Sequence, residues 1–390
     1  MKPRIAVLGA GNGAHAFAGD LGRQGYPVRL YNKFAHEIVH LQAAGGVRLE
    51  EAIDGFGPLE MVTTDIEPVI SEADIILVVV PAIAHPSMAE ACAPYLRDGQ
   101  IVVLNPGRTG GAMEFRQVMR SQGVTSKVLV AEAQTLLYTC RLSGPASVRI
   151  GSIKCQVALS GLPASDTPRV LAALKPIYPQ FIPAQDVIET GLANIGAVFH
   201  PGTVILSTAR IESGVPFEFY RDMTPAVVRL LEAVDEERLT TAQAYGVRAT
   251  SAFEWLGLSY DGIEGETLYE RLHGTDAYAG ISAPSSLETR YVLEDVPTGL
   301  VPIAALGRLA GLEIRTIGGL VNVACALYHR DFWSEGRNAR RLGVAGLNVA
   351  EAKALIREEA VAVGQRETRP TPATIRSAAG GLKGGDVPAQ

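Results

Sequence analysis

A glycine-rich segment directly behind the first apolar stretch constrains the fold of this chain more than any other feature. The stretch Arg4–Gly9 (RIAVLG) has the composition of a buried strand, and the segment GAGNGA begins at Gly9, where helical spacing starts. It fits the pattern G-x-G-x-x-A, in which Gly9 permits a tight turn, Gly11 lets the backbone approach a ligand and Ala14 allows close helix–strand packing. Because a helix N-terminus presents free N–H groups, the pattern predicts a pyrophosphate site for a dinucleotide.

Short apolar stretches alternate with helical patterns through the first half of the chain. Strands bracketed by helices and apolar on both faces indicate a parallel sheet covered on both sides. The sequence therefore predicts an α/β fold, with a doubly wound parallel sheet of the Rossmann type in residues 1–183. The predicted strands are Arg4–Gly9, Val28–Tyr31, Ile75–Val80, Ile101–Leu104 and Lys127–Ala131, with a further strand-like region from Ser147 to Ser160.

The pattern of apolar residues changes near Asp186. Strand patterns nearly vanish, and helical periodicity, as in Thr224–Tyr245 and Ala249–Leu256, continues to about Val363. We therefore expect a mostly α-helical C-terminal domain in residues 184–363, which would carry the substrate and catalytic groups. Residues 364–390 are rich in Gly, Pro, Ala and charge, a composition typical of a flexible tail.

Composition excludes several classes of protein. The 390 residues suit two domains, and a net charge of −6 without a basic run argues against nucleic acid as a partner. The longest apolar run, Ile75–Val80, is far shorter than a membrane span, and the N-terminus lacks the pattern of a signal peptide. The four cysteines are scattered without a CxxC pair, which favours reduced thiols in a cytoplasmic protein and predicts no metal site.

The choice between NADP and NAD depends on the end of the second strand. NAD-binding proteins usually place a carboxylate there, but this chain has Asn32 and Lys33, which suit a 2′-phosphate and favour NADP over NAD. The ends of the predicted strands Ile75–Val80 and Ile101–Leu104 should lie beside the nicotinamide ribose. Arg108, in the loop after the second of these strands, could reach a phosphate or a substrate carboxylate. The predicted cofactor contacts are Gly9, Gly11, Asn12, Gly13, Ala14, Asn32, Lys33, Val80, Pro81, Asn105 and Gly107.

Several strings of sequence resemble the opine dehydrogenase family, of the octopine/nopaline dehydrogenase type. They are GAGNGAHAFAGDL, VVVPAIAH and LNPGRTGGAMEFR, followed by NIGAVFHP (194–201) and TRYVLEDVPTGLVP (289–302). The resemblance covers roughly residues 4–350 and is greatest to the bacterial type that makes N-(1-carboxyethyl)-norvaline. It implies NAD(P)H-dependent condensation of an amino acid with a 2-oxo acid such as pyruvate, through an imine, and the reverse oxidation.

The resemblance implies a set of site residues, and for His200, Asp295 and Arg290 a purely structural role is the alternative. Histidine is the natural proton carrier near neutral pH, and the Pro201 that follows His200 suggests a helix interrupted at a cleft. Asp295 would orient His200, or else cap a helix ahead of Val296. Arg290 would clamp a substrate carboxylate, or form a surface salt bridge. Asn194 is the remaining predicted substrate contact.

Partners and competing functions follow from the same features. Mostly apolar and aromatic residues in the helical region favour a hydrophobic amino acid as substrate, and analogy with the family suggests a homodimer. One alternative is another two-domain NADP-dependent reductase of the ketopantoate reductase type, which would use a catalytic lysine. The other is an NADP-binding regulator without turnover, although such a protein should have lost the histidine, arginine and aspartate of the motifs.

Overall fold

The structure is a computed structural model that describes residues 2–260 and 262–358. The predicted tail, residues 364–390, lies outside the described residues, as do the last residues of the predicted helical domain. The strands are β1 (Ile5–Leu8), β2 (Val28–Tyr31), β3 (Gly46–Glu51), β4 (Gly55–Pro58), β5 (Met61–Thr63), β6 (Ile75–Val78), β7 (Ile101–Leu104), β8 (Leu129–Ala133), β9 (Tyr138–Gly144), β10 (Ser147–Ile153), β11 (Val157–Leu162) and β12 (Phe181–Pro183).

A twisted, mostly parallel sheet organises the first half of the molecule. Within the described residues its strand order is β12-β11-β8-β7-β6-β1-β2-β5, and only β8 and β11 pair antiparallel. Consecutive side chains of a strand point to opposite faces of the sheet, and both faces of this sheet are covered, so most of its strand residues are apolar. Ile5 and Val7 thus join one core, whereas Ala6 and Leu8 join the other. The predicted α/β class with a doubly wound parallel sheet is confirmed.

The helices of this half connect and cover the strands. α1 follows β1, and its residues from Gly13 to Gly22 are buried, so it must be covered on more than one side. Phe17 at its centre packs edge-on against Tyr138 and Tyr178. The helices are α1 (Asn12–Arg23), α2 (Ala35–Ala44), α3 (Glu67–Ile70), α4 (His85–Cys92), α5 (Gly111–Ser121) and α6 (Thr167–Leu174).

A second sheet, with the strand order β4-β3-β10-β9, covers the other side of α1. Small residues let helix and sheet approach closely, since a Cβ added at Gly19 would lie 2.7 Å from a methyl group of Leu49. The single strand-like region expected from Ser147 to Ser160 is in fact two strands. Its first part, β10, belongs to the second sheet, and its second part, β11, belongs to the main sheet.

Helices dominate the rest of the described chain, as the helical periodicity after Asp186 predicts. They pack into the same apolar core as one face of the main sheet. Among the described residues, no helix is both long and apolar enough to span a membrane. The helices are α7 (Val187–Leu192), α8 (Ile195–Leu206), α9 (Thr208–Glu212), α10 (Pro225–Tyr245), α11 (Ala252–Ser259), α12 (Leu268–Gly274), α13 (Arg290–Leu293), α14 (Val301–Leu309), α15 (Thr316–Tyr328), α16 (Phe332–Glu335) and α17 (Val349–Arg357), with a π-helical turn at Val296–Leu300.

Candidate active site

A cleft of about 520 Å³ opens at the carboxyl edge of the main sheet, between the glycine-rich loop, the ends of β6 and β7, and β9. Helical-region residues Arg290 and Glu294 complete its lining. The cleft brings together six of the predicted cofactor contacts: Gly11, Asn12, Gly13, Val80, Pro81 and Asn105. The other five, which lie outside its lining, are Gly9, Ala14, Asn32, Lys33 and Gly107.

The glycine-rich loop has the geometry that a bound pyrophosphate requires. Gly9 has a φ of +117°, and a Cβ there would lie 2.5 Å from the carbonyl oxygen of Val79. A Cβ added at Gly11, in contrast, would meet no atom of the described residues within 4 Å, so this part of the chain leaves the space at Gly11 open. Ala14 is fully buried where α1 packs on the sheet. The open space at Gly11 and the free N-terminus of α1 fit a dinucleotide phosphate.

A carboxylate that no sequence motif identifies lies beside the end of β2. Asn32 is buried, and its amide nitrogen donates to Glu37 Oε2 at 2.8 Å and to the Phe34 carbonyl at 3.2 Å. Lys33 is exposed. Glu37 was missed because it lies on α2, five residues after Asn32, and only the fold brings the two side chains together.

Arg108 lies in the loop after β7 with a left-handed backbone, φ +57°, which is strained for a residue with a side chain. Its Nη1 donates to Asn194 Oδ1 at 3.0 Å and lies 3.8 Å from Asp295 Oδ1. Asn194 is buried, and its amide nitrogen donates to Thr109 Oγ1 at 3.3 Å. Asn194 thus joins the start of α8 to the loop that carries Arg108.

A buried arginine that the sequence did not single out fixes the loops at this sheet edge. Arg337 Nε donates to Glu114 Oε2 at 2.7 Å. Its two terminal nitrogens donate to the carbonyl oxygens of Gly107, Thr109 and Ala82 and contact His85 Nδ1, at 2.9–3.1 Å. The contact with His85 places that histidine in the interior and not in the lining of the cofactor cleft.

His200 and Asp295 form a close pair at the junction of α8 and the π-helical turn. His200 Nδ1 lies 2.7 Å from Asp295 Oδ2, and the side chains are 17% and 3% exposed. Glycine allows the two segments to meet, because a Cβ on Gly299 would lie 2.6 Å from the Cβ of Ala197. At Gly196, an added Cβ would approach both His200 and Arg108 within 3.3 Å. These small residues let the imidazole, the carboxylate and the guanidinium converge.

The surroundings of Asp295 keep it ionised. Burial by itself would raise the pKa of Asp295, but the hydrogen bond to His200 and the positive charges of Arg108 and Arg290 lower that pKa below its ordinary value. An ionised Asp295 fixes the proton of a neutral His200 on Nδ1 and stabilises the imidazolium form. The arrangement leaves His200 Nε2 on the side of the ring opposite to Asp295.

Two sequence expectations about this pair differ from the structure. Pro201 does not interrupt the helix, because α8 continues from Ile195 to Leu206 through it. A proline removes one helical hydrogen bond, and the packing of this largely buried helix holds it together. The alternative role of Asp295 as a helix cap is also wrong, since its side chain accepts no capping hydrogen bond.

Arg290 lies in the lining of the cofactor cleft, with a side chain 69% exposed. Its Nε and Nη2 bind Glu294 Oε2 at 2.7 and 2.5 Å. Glu294 is buried, and its Oε1 accepts from the backbone N–H of Ala82 at 2.8 Å. Arg290 therefore forms the salt bridge of the plainer alternative and still presents its guanidinium to the cleft.

Two further residues lie at the site. Arg141 was not identified from the sequence, whereas Tyr220 is one of the aromatic residues of the helical region expected around the substrate side chain. Arg141, exposed on β9, lines the cleft together with the glycine-rich loop. Tyr220 lies between α9 and α10, and its hydroxyl is 3.2 Å from His200 Nε2. No motif identifies either residue, because an unpredicted strand and an irregular segment carry them.

Two family models match the chain. Residues 183–328 match the α-helical domain of the NAD/NADP octopine/nopaline dehydrogenases. Residues 4–104 match the coenzyme F420-dependent NADP oxidoreductases.

Individual proteins match nearly the whole chain. An opine dehydrogenase of Arthrobacter sp. (strain 1C) is 39% identical over 353 residues, which cover 90% of this chain and 98% of that protein. The structure of an octopine dehydrogenase in complex with NADH and agmatine superposes with a TM-score of 0.78 at 22% identity, covering 95% of this chain and all of that one. A yersinopine dehydrogenase with bound NADP⁺ superposes with a TM-score of 0.70 at 14% identity, covering 91% of this chain and 98% of that one.

Proposed function

The chain belongs to the opine dehydrogenase family, and we propose that it joins an amino acid to a 2-oxo acid by reducing the imine formed between them. It is an NAD(P)-dependent oxidoreductase acting on CH–NH donors. The observation that carries the proposal is the His200–Asp295 pair, 2.7 Å apart, next to a cleft that suits a dinucleotide. The reverse oxidation would use the same groups.

In this proposal His200 is the proton carrier and Asp295 orients it. Asp295 accepts from Nδ1 and stays ionised, so the imidazole gives and takes its proton at Nε2. A bound nicotinamide cofactor supplies the hydride that the imine carbon receives. Arg108 would hold the oxo-acid carboxylate, because its guanidinium lies next to the His200–Asp295 pair. Its strained backbone supports such a role, since strain of this kind clusters at functional sites.

Arg290 and Asn194 have distinct proposed roles. Arg290 would bind an anionic group in the cleft, as the clamp for a substrate carboxylate, with Glu294 fixing the direction of its guanidinium. Asn194 would contribute to substrate binding by holding Arg108, since its amide oxygen accepts from that guanidinium. Neither role requires a metal ion.

We propose NADP as the preferred cofactor, with NAD as the alternative. The cofactor contacts would be the eleven residues named from the sequence, with Gly11 and the start of α1 receiving the pyrophosphate. The exposed Lys33 supports binding of a 2′-phosphate, whereas Glu37 beside Asn32 opposes it. Titration of the protein with NADPH and NADH, followed by fluorescence, measures the balance of these charges.

A hydrophobic amino acid is the proposed amine substrate. The ring of His200 stacks on Tyr291 with ring centres 4.2 Å apart and lies 6.1 Å from the ring of Phe219, which makes its surroundings largely aromatic. Such surfaces suit apolar side chains, and the carboxylate beside them, Asp295, is already paired with His200. The boundary between the two domains at residues 183 and 184 stays a proposal, and so does a flexible tail at 364–390. A homodimer is also proposed, and light scattering tests it.

We also propose that the protein is located in the cytoplasm. The four cysteines, all within the described residues, are unpaired, and Cys155 is exposed, which suits a reducing compartment. Localisation of a tagged copy, compared with markers for each compartment, tests this proposal.

The test of the reaction follows oxidation of NADPH or NADH by absorbance. Pyruvate is mixed with a panel of amino acids, including leucine, norvaline and arginine, and pyruvate alone serves as the control. We expect oxidation only when both substrates are present, with apolar amino acids preferred. Oxidation with pyruvate alone would favour the ketopantoate-type reductase, and tight NADPH binding without oxidation by any pair would favour the regulator.

A replacement of the histidine separates turnover from binding. We expect His200→Ala to abolish oxidation while leaving NADPH affinity within about two-fold, because Nε2 exchanges the proton and does not line the pyrophosphate site. Full turnover by this variant would exclude His200 as the proton carrier.

A further inference from the structure

Tyr220 is a buried tyrosine whose hydroxyl faces the reacting nitrogen of the proposed mechanism. The hydroxyl lies 3.2 Å from His200 Nε2, on the side of the ring opposite to Asp295. In the described part of the chain this is the one hydrogen bond of that hydroxyl, although the residue is only 8% exposed. A buried hydroxyl normally requires a partner, and here the partner is the atom that exchanges the proton.

Packing fixes the ring of Tyr220 in this position. The ring stacks on Tyr278 with centres 4.0 Å apart and meets Phe219 edge-on at 5.0 Å. The backbone next to Tyr220 is also held, because the N–H of Phe219 donates to the Ile281 carbonyl at 2.8 Å. Such a constrained side chain holds its hydroxyl in one place without losing further entropy when substrate binds.

Of the groups that face His200, the Tyr220 hydroxyl serves as the uncharged hydrogen-bond donor. Asp295 occupies Nδ1, the Tyr291 ring lies flat on the imidazole, and Arg108 approaches on the side of Asp295. Burial, together with the negative charge of Asp295, raises the pKa of Tyr220, so the phenol keeps its proton at neutral pH. A phenol that stays protonated donates a hydrogen bond to an oxygen beside it.

We propose that Tyr220 is a further catalytic residue, which donates a hydrogen bond to the substrate oxygen that receives the proton of His200. This rests on the proposed function. An amine adds to the oxo acid and gives a carbinolamine, and His200 transfers its Nε2 proton to the hydroxyl of that adduct. The C–O bond breaks with its electrons on oxygen, water leaves, and the nitrogen lone pair forms the C=N bond. Tyr220 stabilises the departing oxygen and keeps its own proton.

Replacement of Tyr220 by Phe tests the donor. We expect Tyr220→Phe to lower kcat by roughly 10²-fold, as the loss of one donor to a reacting oxygen does, while the KM for NADPH stays within about two-fold. Tyr245→Phe in α10 is the matched control, because within the described residues its buried hydroxyl also makes one hydrogen bond, to the Leu306 carbonyl at 3.2 Å. The control should keep the kcat of the wild type.

A second substitution distinguishes hydrogen-bond donation from packing. 3-Fluorotyrosine at position 220 keeps the ring and makes the hydroxyl a stronger donor, so kcat should differ from the wild type, whereas a purely structural hydroxyl would leave it unchanged. Equal kcat in the wild type, the Phe variant and the fluorinated variant would overturn the role of Tyr220. A wild-type protein without amine-dependent turnover would instead contradict the proposed function, so the two failures are distinguishable.

Discussion

Replacement of Arg337 by Met should destabilise the protein and disturb the site together. Arg337 is 1% exposed, and each of its guanidinium nitrogens makes a hydrogen bond to Glu114, to a loop carbonyl or to His85. Methionine fills a similar volume but offers no donor. Three buried carbonyl oxygens would lose this donor, and Glu114, which is 2% exposed, would lose one of its two arginines.

The structure sets the size of the effect. Removing one partner of a buried ion pair costs about 3–5 kcal/mol, and the remaining bond from Arg341 to Glu114 at 2.7 Å keeps the expected value near about 4 kcal/mol. A chain of 390 residues has an unfolding entropy of about 0.8 kcal/mol per kelvin near its midpoint. The expected fall in Tm is therefore about 5 °C.

Differential scanning fluorimetry measures this shift, with Arg341→Met as the matched control. Arg341 binds the same carboxylate from a side chain 35% exposed, so its loss should lower Tm by only about 1 °C. Because Gly107 and Thr109 flank Arg108, the Arg337 variant should also have a lower kcat at temperatures where it is folded. A Tm within 1 °C of the wild type would refute the idea that Arg337 secures these loops.

Three further predictions concern carboxylates. Asp295→Asn should lower kcat by roughly 10²- to 10⁴-fold with little change in Tm, because the amide no longer stabilises the His200 imidazolium; steady-state kinetics measure this. Glu37→Gln should shift the ratio of NADPH to NADH affinity towards NADPH by roughly five-fold, since it removes a negative charge beside Asn32; titrations with both cofactors measure this. Burial raises the pKa of Glu132 from 4.5 to about 7, so the folded protein keeps a proton there that the unfolded chain loses, and stability should fall as pH rises between those values. Tm measured from pH 4.5 to 8 should show this decline in the wild type and a smaller one in Glu132→Gln.

Much of the nucleotide-binding fold could be predicted because local pattern determines it. The bounds of β2 and β7 agree with the predicted stretches, since a strand buried on both faces is mostly apolar. Arg29 in β2 is the exception, and it is paired with Glu60 and Glu72. The second sheet was missed because β3, β4 and β9 are half-exposed, and Gly57 and Pro58 in β4 argue against a strand. Only the need to cover the buried helix α1 explains that sheet.

The site was predicted in part for a similar reason. Resemblance supplied His200 and Asp295 from separate motifs, and the structure brings their side chains into contact. The sequence gives no sign of Arg337, which lies far along the chain from every motif and acts through loop carbonyls. Contacts of this kind depend on tertiary packing, which no local period records.

The measurement that tests the central claim most directly is the fate of the transferred hydride. Pyruvate, an apolar amino acid and NADPH carrying deuterium at the transferred position are incubated with the protein, and the products are analysed by mass spectrometry. We expect one product that contains both substrates less one water and plus the transferred deuteride and one proton, with the single deuterium on the carbon that was the pyruvate carbonyl. Deuterated lactate without any joined product would contradict it and would identify a simple reductase of 2-oxo acids.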